Sequence, residues 1–167
     1  MVSSQHASHD LAPLVWSDSM LLGHVGIDEE HRVLADLIGR MQSARDEDMA
    51  LALDELVAHA TKHFSVENAL MRDTAFPARD CHIKEHEAVL STLNGVTRRL
   101  AVGHVEIARC LADELAAWFP AHIQHLDSAL SHWLCKLRYG AKPLVLRMGR
   151  TSTAETASQF NFMRRPT

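Results

Sequence analysis

From Asp28 onward, apolar residues recur three and four positions apart, as Val33, Leu34, Leu37, Ile38 and Met41 do. That is the period of an α-helix with one face turned inward. Asp28, Glu29 and Glu30 put negative charge where the positive end of the helix dipole favours it, so the pattern predicts a first helix over about 28–44. A second stripe, Leu53, Leu56, Val57, Ala60, Phe64 and Leu70, follows the acidic start Asp46, Glu47 and Asp48 and stops at Phe76 and Pro77, predicting a helix over about 47–73. The third, about 79–101, carries His82, Ile83, His86, Val89, Leu90 and Leu93, with Gly103 as its C-terminal cap and Asn94-Gly95 weakening its later turns. The fourth, about 104–138, carries Ile107, Leu111, Leu115, Trp118, Ile123, Leu126, Leu130 and Leu134 and is closed by Gly140 and Pro143. Pro120 lies inside it and predicts a kink or local break.

Four helices, short connections and no alternating strand pattern predict an all-α fold: an antiparallel up-down four-helix bundle with an N-terminal loop and a C-terminal tail. With 167 residues, one domain is expected. Its bundle occupies 13–140, preceded by a disordered leader, 1–12, and followed by a largely disordered extension, 141–167. Trp16 is expected to pack as part of a loop on the bundle, and Phe160, Phe162 and Met163 leave room for a short docked segment in the extension.

Charge and cysteine usage narrow the function classes. A formal charge of -4, with both signs spread along the chain, gives no electrostatic footprint for nucleic acid or anionic lipid. Cys81, Cys110 and Cys135 are odd in number, widely spaced and lack a Cys-x-x-Cys pair, which argues against a disulfide framework or zinc ribbon and for reduced thiols in a cytoplasmic protein. No signal-like start and no long apolar run predict neither secretion nor membrane insertion. The anomaly is histidine: 12 of them, against one tyrosine and five phenylalanines.

Residues four apart on a helix share a face, so such a pair can aim two side chains at one buried point. His63 and Glu67 do so on the second apolar stripe, and His82 and His86 on the third. His31 stands one turn into the first helix, and the fourth offers His122 and Asp127. Five residues separate that last pair, a turn of about 140° on an ideal helix, so sharing a face requires a π-like bulge. Any one of these histidines alone reads as an exposed or hydrogen-bonded residue. Five imidazoles and two carboxylates on four core-facing stripes, with no Arg or Lys to compensate them, point instead to a metal site.

Two octahedral ions have about 12 coordination positions, of which five nitrogens, two bridging carboxylates and one shared oxo or hydroxo group fill about 11, leaving room for a small diatomic ligand. Absence of thiolate argues against structural zinc, and the imidazole and carboxylate mixture suits iron or manganese. A set this rich in histidine carries less negative charge than the four-carboxylate di-iron sites and favours binding over oxidation.

These pieces resemble the bacterial hemerythrins over about residues 14–138. The resemblance is carried by Trp16, the run from Gly26 to His31, the run from His59 to Glu67, His82-Ile83-Lys84-Glu85-His86, and Trp118 through Asp127. It implies two non-haem iron ions (Fe2+/Fe3+) with an oxo or hydroxo bridge. His82, His86 and His122 would hold one, His31 and His63 the other, and Glu67 and Asp127 would bridge them. The two-histidine iron would keep the position open to dioxygen, in a pocket of Phe64, Trp118 and Ile123. Three residues depart from the family's pattern: Asn68 stands where a second glutamate is frequent, His59 where an aromatic is common, and Pro120 interrupts the last helix. Of the histidines outside the set, His59 is expected to act on His63 from four residues away, and Cys81 to be a packed thiol. The expected function is reversible dioxygen binding for carriage, storage or delivery, without catalysis, in company with an oxygen-consuming or signalling partner. A sensor of oxygen or redox state, or an enzyme acting on peroxide or nitric oxide, is the alternative.

Overall fold

The computed structural model describes residues 12–140. The extension expected over 141–167, and all but Ala12 of the leader expected over 1–12, lie outside the described residues. Helix α1 spans Val25–Ser43, α2 Met49–Asp73, α3 Arg79–Leu100, α4 Val105–His122 and α5 Ser128–Tyr139. A π-helical turn, Ile123–Asp127, joins α4 to α5, so that the two form one rod. The connections over 44–48, 74–78 and 101–104 are too short for anything but antiparallel neighbours. Each helix packs on the next, α1 closes on α4, and an all-helical four-helix bundle results.

Helix α1 begins three residues earlier than its acidic triplet predicts. His24 caps it, its Nδ1 accepting the Ile27 N–H at 3.4 Å. Asp28, buried, turns its carboxylate back to accept the N–H groups of Leu22 and Gly23 at 2.8 and 2.9 Å, clamping the incoming loop. That loop then runs along α1, where the Leu14 N–H bonds to the Gln42 side chain at 2.7 Å and the Arg32 guanidinium lies over the Trp16 ring. Gly39 permits the approach, because a Cβ there would sit 2.4 Å from the Leu14 carbonyl oxygen. Val33, expected on the inner stripe, is 48 % exposed. Ala35 takes the inward position instead, on the face of Leu34, Ile38 and Met41.

Helix α3 runs through Asn94-Gly95 without a break and is closed by Gly103 in the left-handed region, at φ 94°. The break expected at Pro120 does not occur either. Helix α4 continues through it, and the departure from α geometry falls at the following turn, where the Ser128 N–H reaches back to the Ile123 carbonyl. Cys81, expected to be packed, is exposed, because its place beside His82 puts it on the outer face.

The core divides along the bundle. A large cluster built around Ile38, Met41, Leu53, Leu56, Phe64, Leu93, Ala112 and Phe119 fills one end, and a small one of Met71, Phe76, Ile83 and Leu130 fills the other. On α2 and along the α4–α5 rod the titratable residues come between the two. The polar layer is thus sealed above and below by apolar side chains.

Candidate metal centre

All seven side chains singled out in the sequence converge in that layer, none of them more than 4 % exposed. His63 and Glu67 come from adjacent turns of α2, His82 and His86 from adjacent turns of α3, and His31 from the second turn of α1. The π turn brings His122 and Asp127 to the same point by widening the rod where an α-helix would have spread them apart.

The carboxylates lie between two groups of imidazoles. Glu67 Oε1 faces His31 Nε2 and His63 Nε2, each at 3.6 Å, while its Oε2 faces His86 Nε2 at 3.4 Å. Asp127 Oδ2 faces His31 Nε2 at 3.2 Å, and its Oδ1 faces His82 and His122 Nε2 at 3.1 and 3.4 Å. His122 Nε2 is also 3.3 Å from the Nε2 atoms of both His82 and His86. Three histidines thus gather at one end, two at the other, and each carboxylate offers one oxygen to either end.

The donor set fits a pair of metal ions. All four carboxylate oxygens and His31 Nε2 are buried without a well-directed hydrogen bond, a costly arrangement unless something else satisfies them. Donors held about 2.1 Å from one ion at right angles lie roughly 3 Å apart, close to the 3.1–3.6 Å separations here. Two groups of donor atoms are compact enough to share an ion: Glu67, His82, His86, His122 and Asp127 in one, and His31, His63 and Glu67 in the other.

Burial and neighbouring charges shift the protonation of four of these groups. Burial, with His82 and His122 beside it, lowers His86 from 6.5 to about 2. Burial lowers His63 to about 4, outweighing the attraction of Glu67. Both imidazoles are therefore neutral at pH 7, as a metal ligand must be. Burial acts to raise the Asp127 pKa, yet its contacts with His122, His31 and His82 hold it well below the usual carboxylate range. Burial opposes protonation of His31 too, but Asp127 and Glu67 overcome it and raise that imidazole to about 9. Without a cation, the two carboxylates favour a proton on His31.

Aromatic rings cover the site. Phe64 stacks on His86 at 4.1 Å between centroids and 10° between planes, and Trp118 lies on His122 at 4.5 Å. The Trp118 indole N–H is anchored to Glu85 Oε1 at 3.0 Å. Ile123, the third residue expected in the pocket, is fully buried. Phe119, which sequence reasoning passed over, meets His31 edge to face at 5.5 Å. Its place four residues after Leu115 and four before Ile123 is the signal that could have found it. Asn68 was read only as a departure; here its Oδ1 lies 2.9 Å from His86 Nδ1. His59 stacks parallel to His63 at 6.2 Å, while its own Nε2 lies 3.2 Å from the Glu30 carbonyl oxygen. No helix among the described residues is long and apolar enough to cross a membrane.

Comparison with known proteins points the same way. The profile of the Hemerythrin HHE cation binding domain matches residues 23–134. A bacteriohemerythrin of Ralstonia nicotianae is 36% identical over 121 residues, covering 72% of this chain and 88% of its own. A myohemerythrin of Sipunculus nudus is 26% identical over 115 residues, covering 69% and 88% respectively. The crystal structure of a hemerythrin carrying a point substitution superposes with a TM-score of 0.65 over 71% of this chain and 94% of the other; at 17% identity the likeness is one of fold.

Proposed function

The chain belongs to the hemerythrin family, and from that premise we propose that it binds dioxygen reversibly at a non-haem di-iron centre, for carriage, storage or delivery. The observation that carries the reading is the division of each carboxylate between a three-histidine and a two-histidine group. His82, His86 and His122 would hold one iron, His31 and His63 the other, with Glu67 and Asp127 spanning both. When bound, the iron pair supplies the electrons that reversible dioxygen binding draws on and returns.

The residues of the chain set the conditions for reversibility. Neutral imidazoles at His63 and His86 leave two carboxylate charges in the set, fewer than the four-carboxylate sites that suit oxidative chemistry. Glu67 and Asp127 approach from different helices, so they hold the two histidine groups at a set separation. Phe64, Trp118, Phe119 and Ile123 wall the layer with apolar surface and exclude water, which strengthens the electrostatic interactions inside and suppresses side reactions. Unequal histidine numbers leave the His31–His63 end with fewer protein donors, and that end would take the diatomic ligand.

Anaerobic loading with ferrous iron, a metal count, and cycles of air and inert gas under a visible spectrometer test the reading. Two irons per chain and a visible band that comes with air and goes under inert gas are expected. Irreversible conversion to a ferric form on the first exposure would overturn it in favour of redox sensing or catalysis.

A further inference from the structure

Among the described residues, His86 is the buried imidazole whose outward nitrogen meets a side-chain acceptor. The Nδ1 atoms of His31, His82 and His122 are buried with no hydrogen bond among the described residues. His86 Nδ1, in contrast, lies 2.9 Å from Asn68 Oδ1. Its Nε2 looks the other way, 3.4 Å from Glu67 Oε2 and 3.3 Å from His122 Nε2. A neutral imidazole carries one N–H, and which nitrogen bears it depends on the partner available to each.

Resting on the reading of His86 as a metal ligand, we propose that Asn68 is a positioning residue that fixes His86 in the Nδ1–H tautomer and presents the Nε2 lone pair to the metal. Two contacts at right angles define the ring completely. Phe64 stacks on its face at 4.1 Å and stops it tilting, while Asn68 takes its edge and stops it turning in plane. Both come from α2, four residues apart on the helix that also supplies Glu67, so the carboxylate, the ring stop and the edge stop move as one piece. Asn68 is only half-buried and His86 fully buried, so the amide can complete its remaining hydrogen bonds outside the site.

The choice of an amide has a chemical consequence. An acceptor behind a ligating imidazole raises its basicity, and a carboxylate raises it more than a neutral carbonyl does. Asn68 therefore orients His86 without adding a third negative charge to the layer. Aspartate at 68 would keep the orientation and make the three-histidine end more electron-donating. Leucine, of nearly the same shape, would remove both the acceptor and the orientation.

The test uses the full chain, first without metal. Nitrogen-15 NMR of the wild type is expected to show His86 protonated at Nδ1 alone. Asn68→Leu should give a mixture of tautomers or the Nε2–H form, and Asn68→Asp should restore Nδ1–H. Cobalt(II) titration of the same proteins should show affinity falling about 10- to 100-fold in Asn68→Leu and regained in Asn68→Asp. On the iron-loaded protein, Asn68→Asp should move the reduction potential to more negative values. Should Asn68→Leu fail to fold, Asn68→Gln, whose longer side chain displaces the acceptor, takes its place with the same expected loss. An unchanged tautomer with cobalt affinity within about twofold of wild type would overturn the proposal. If the tautomer follows residue 68 while the iron-loaded protein fails to bind dioxygen reversibly, the functional reading falls and this one stands.

Discussion

The two ends of the buried layer share their carboxylates and differ in nearly everything else. At the three-histidine end, His86 is held by Phe64 and Asn68, and His122 by Trp118, itself anchored on Glu85. The Nε2 atoms there crowd together, that of His122 standing 3.3 Å from those of His82 and His86. At the other end His31 and His63 meet edge to face at 5.0 Å, Phe119 touches His31, and His59 stacks behind His63. At the first end, ring stacking and hydrogen bonds hold His86 and His122 in place, and burial lowers the His86 pKa to about 2. At the second end, against the effect of burial, Asp127 and Glu67 raise the His31 pKa to about 9, which favours a proton there when no metal is present. Tight packing and a raised pKa thus fall on different histidines of one site.

Removing what the ends share is the largest perturbation. Asp127 touches His31 at one end and His82 and His122 at the other. Asp127→Ala should therefore drop the metal content from about two per chain to well under one. His63→Ala, which removes a ligand from one end only, should leave about one. Metal analysis after gel filtration distinguishes the two, and equal losses from both variants would mean that the ends are not separate sites. Next comes the packing that supports each end. Phe64, 1 % exposed and stacked on His86, should cost about 3–5 kcal/mol when cut to alanine. Phe119→Leu should cost about 1 kcal/mol while altering the rate of oxygen release, because Phe119 contacts His31 directly and meets the three-histidine end through Trp118. Chemical denaturation and stopped-flow mixing with an oxygen scavenger measure these. A Phe119→Leu protein that changes metal content at the three-histidine end would erase the contrast.

Local periodicity made much of this legible and left out what depends on contacts between elements. The pairs His63/Glu67 and His82/His86 declare a shared face by spacing alone, and the awkward five-residue step from His122 to Asp127 required the widened turn that the structure places over Ile123–Asp127. Pro120 misled in its position of effect, since its ring does not stop a helix whose inner face is pinned by Leu115, Phe119 and Ile123. Val33 misled because a stripe read along one helix does not say where its edge lies; the neighbours of α1 cover Leu34 and Ala35 and leave Val33 in solvent. Asp28 reads as a helix-start residue and serves as a loop clamp, through bonds to Leu22 and Gly23 that no spacing announces. Asn68 lies about 100° around the helix from Glu67, and nothing in α2 alone tells that His86 of α3 will meet it there.

The most delicate contrast is one of pH, between His31 on one side and His63 and His86 on the other, and it is read on the metal-free protein. His63 and His86 have folded pKa values of about 4 and about 2, below the ordinary 6.5, so the unfolded chain binds more protons than the native one as pH falls below 6.5. Their contribution is present above 6.5 and is lost toward acid. His31, at about 9, works in the opposite direction: the native state holds its proton between pH 6.5 and 9 while the unfolded chain has released it. Its contribution is complete below 6.5 and is lost as pH rises through 9. The metal-free protein should accordingly melt highest near pH 6.5–7 and lose melting temperature on both sides. Metal would displace the His31 proton, so loading at pH 7.5 should release about one proton per chain beyond any released in forming an oxo or hydroxo bridge, measurable from the buffer dependence of the binding heat. The basic limb of the stability profile should flatten in the loaded protein. His31→Asn should abolish the basic limb while keeping the acid limb, which rests on His63 and His86. A metal-free protein whose melting temperature holds level from pH 7 to 9 would show that His31 is not the proton holder.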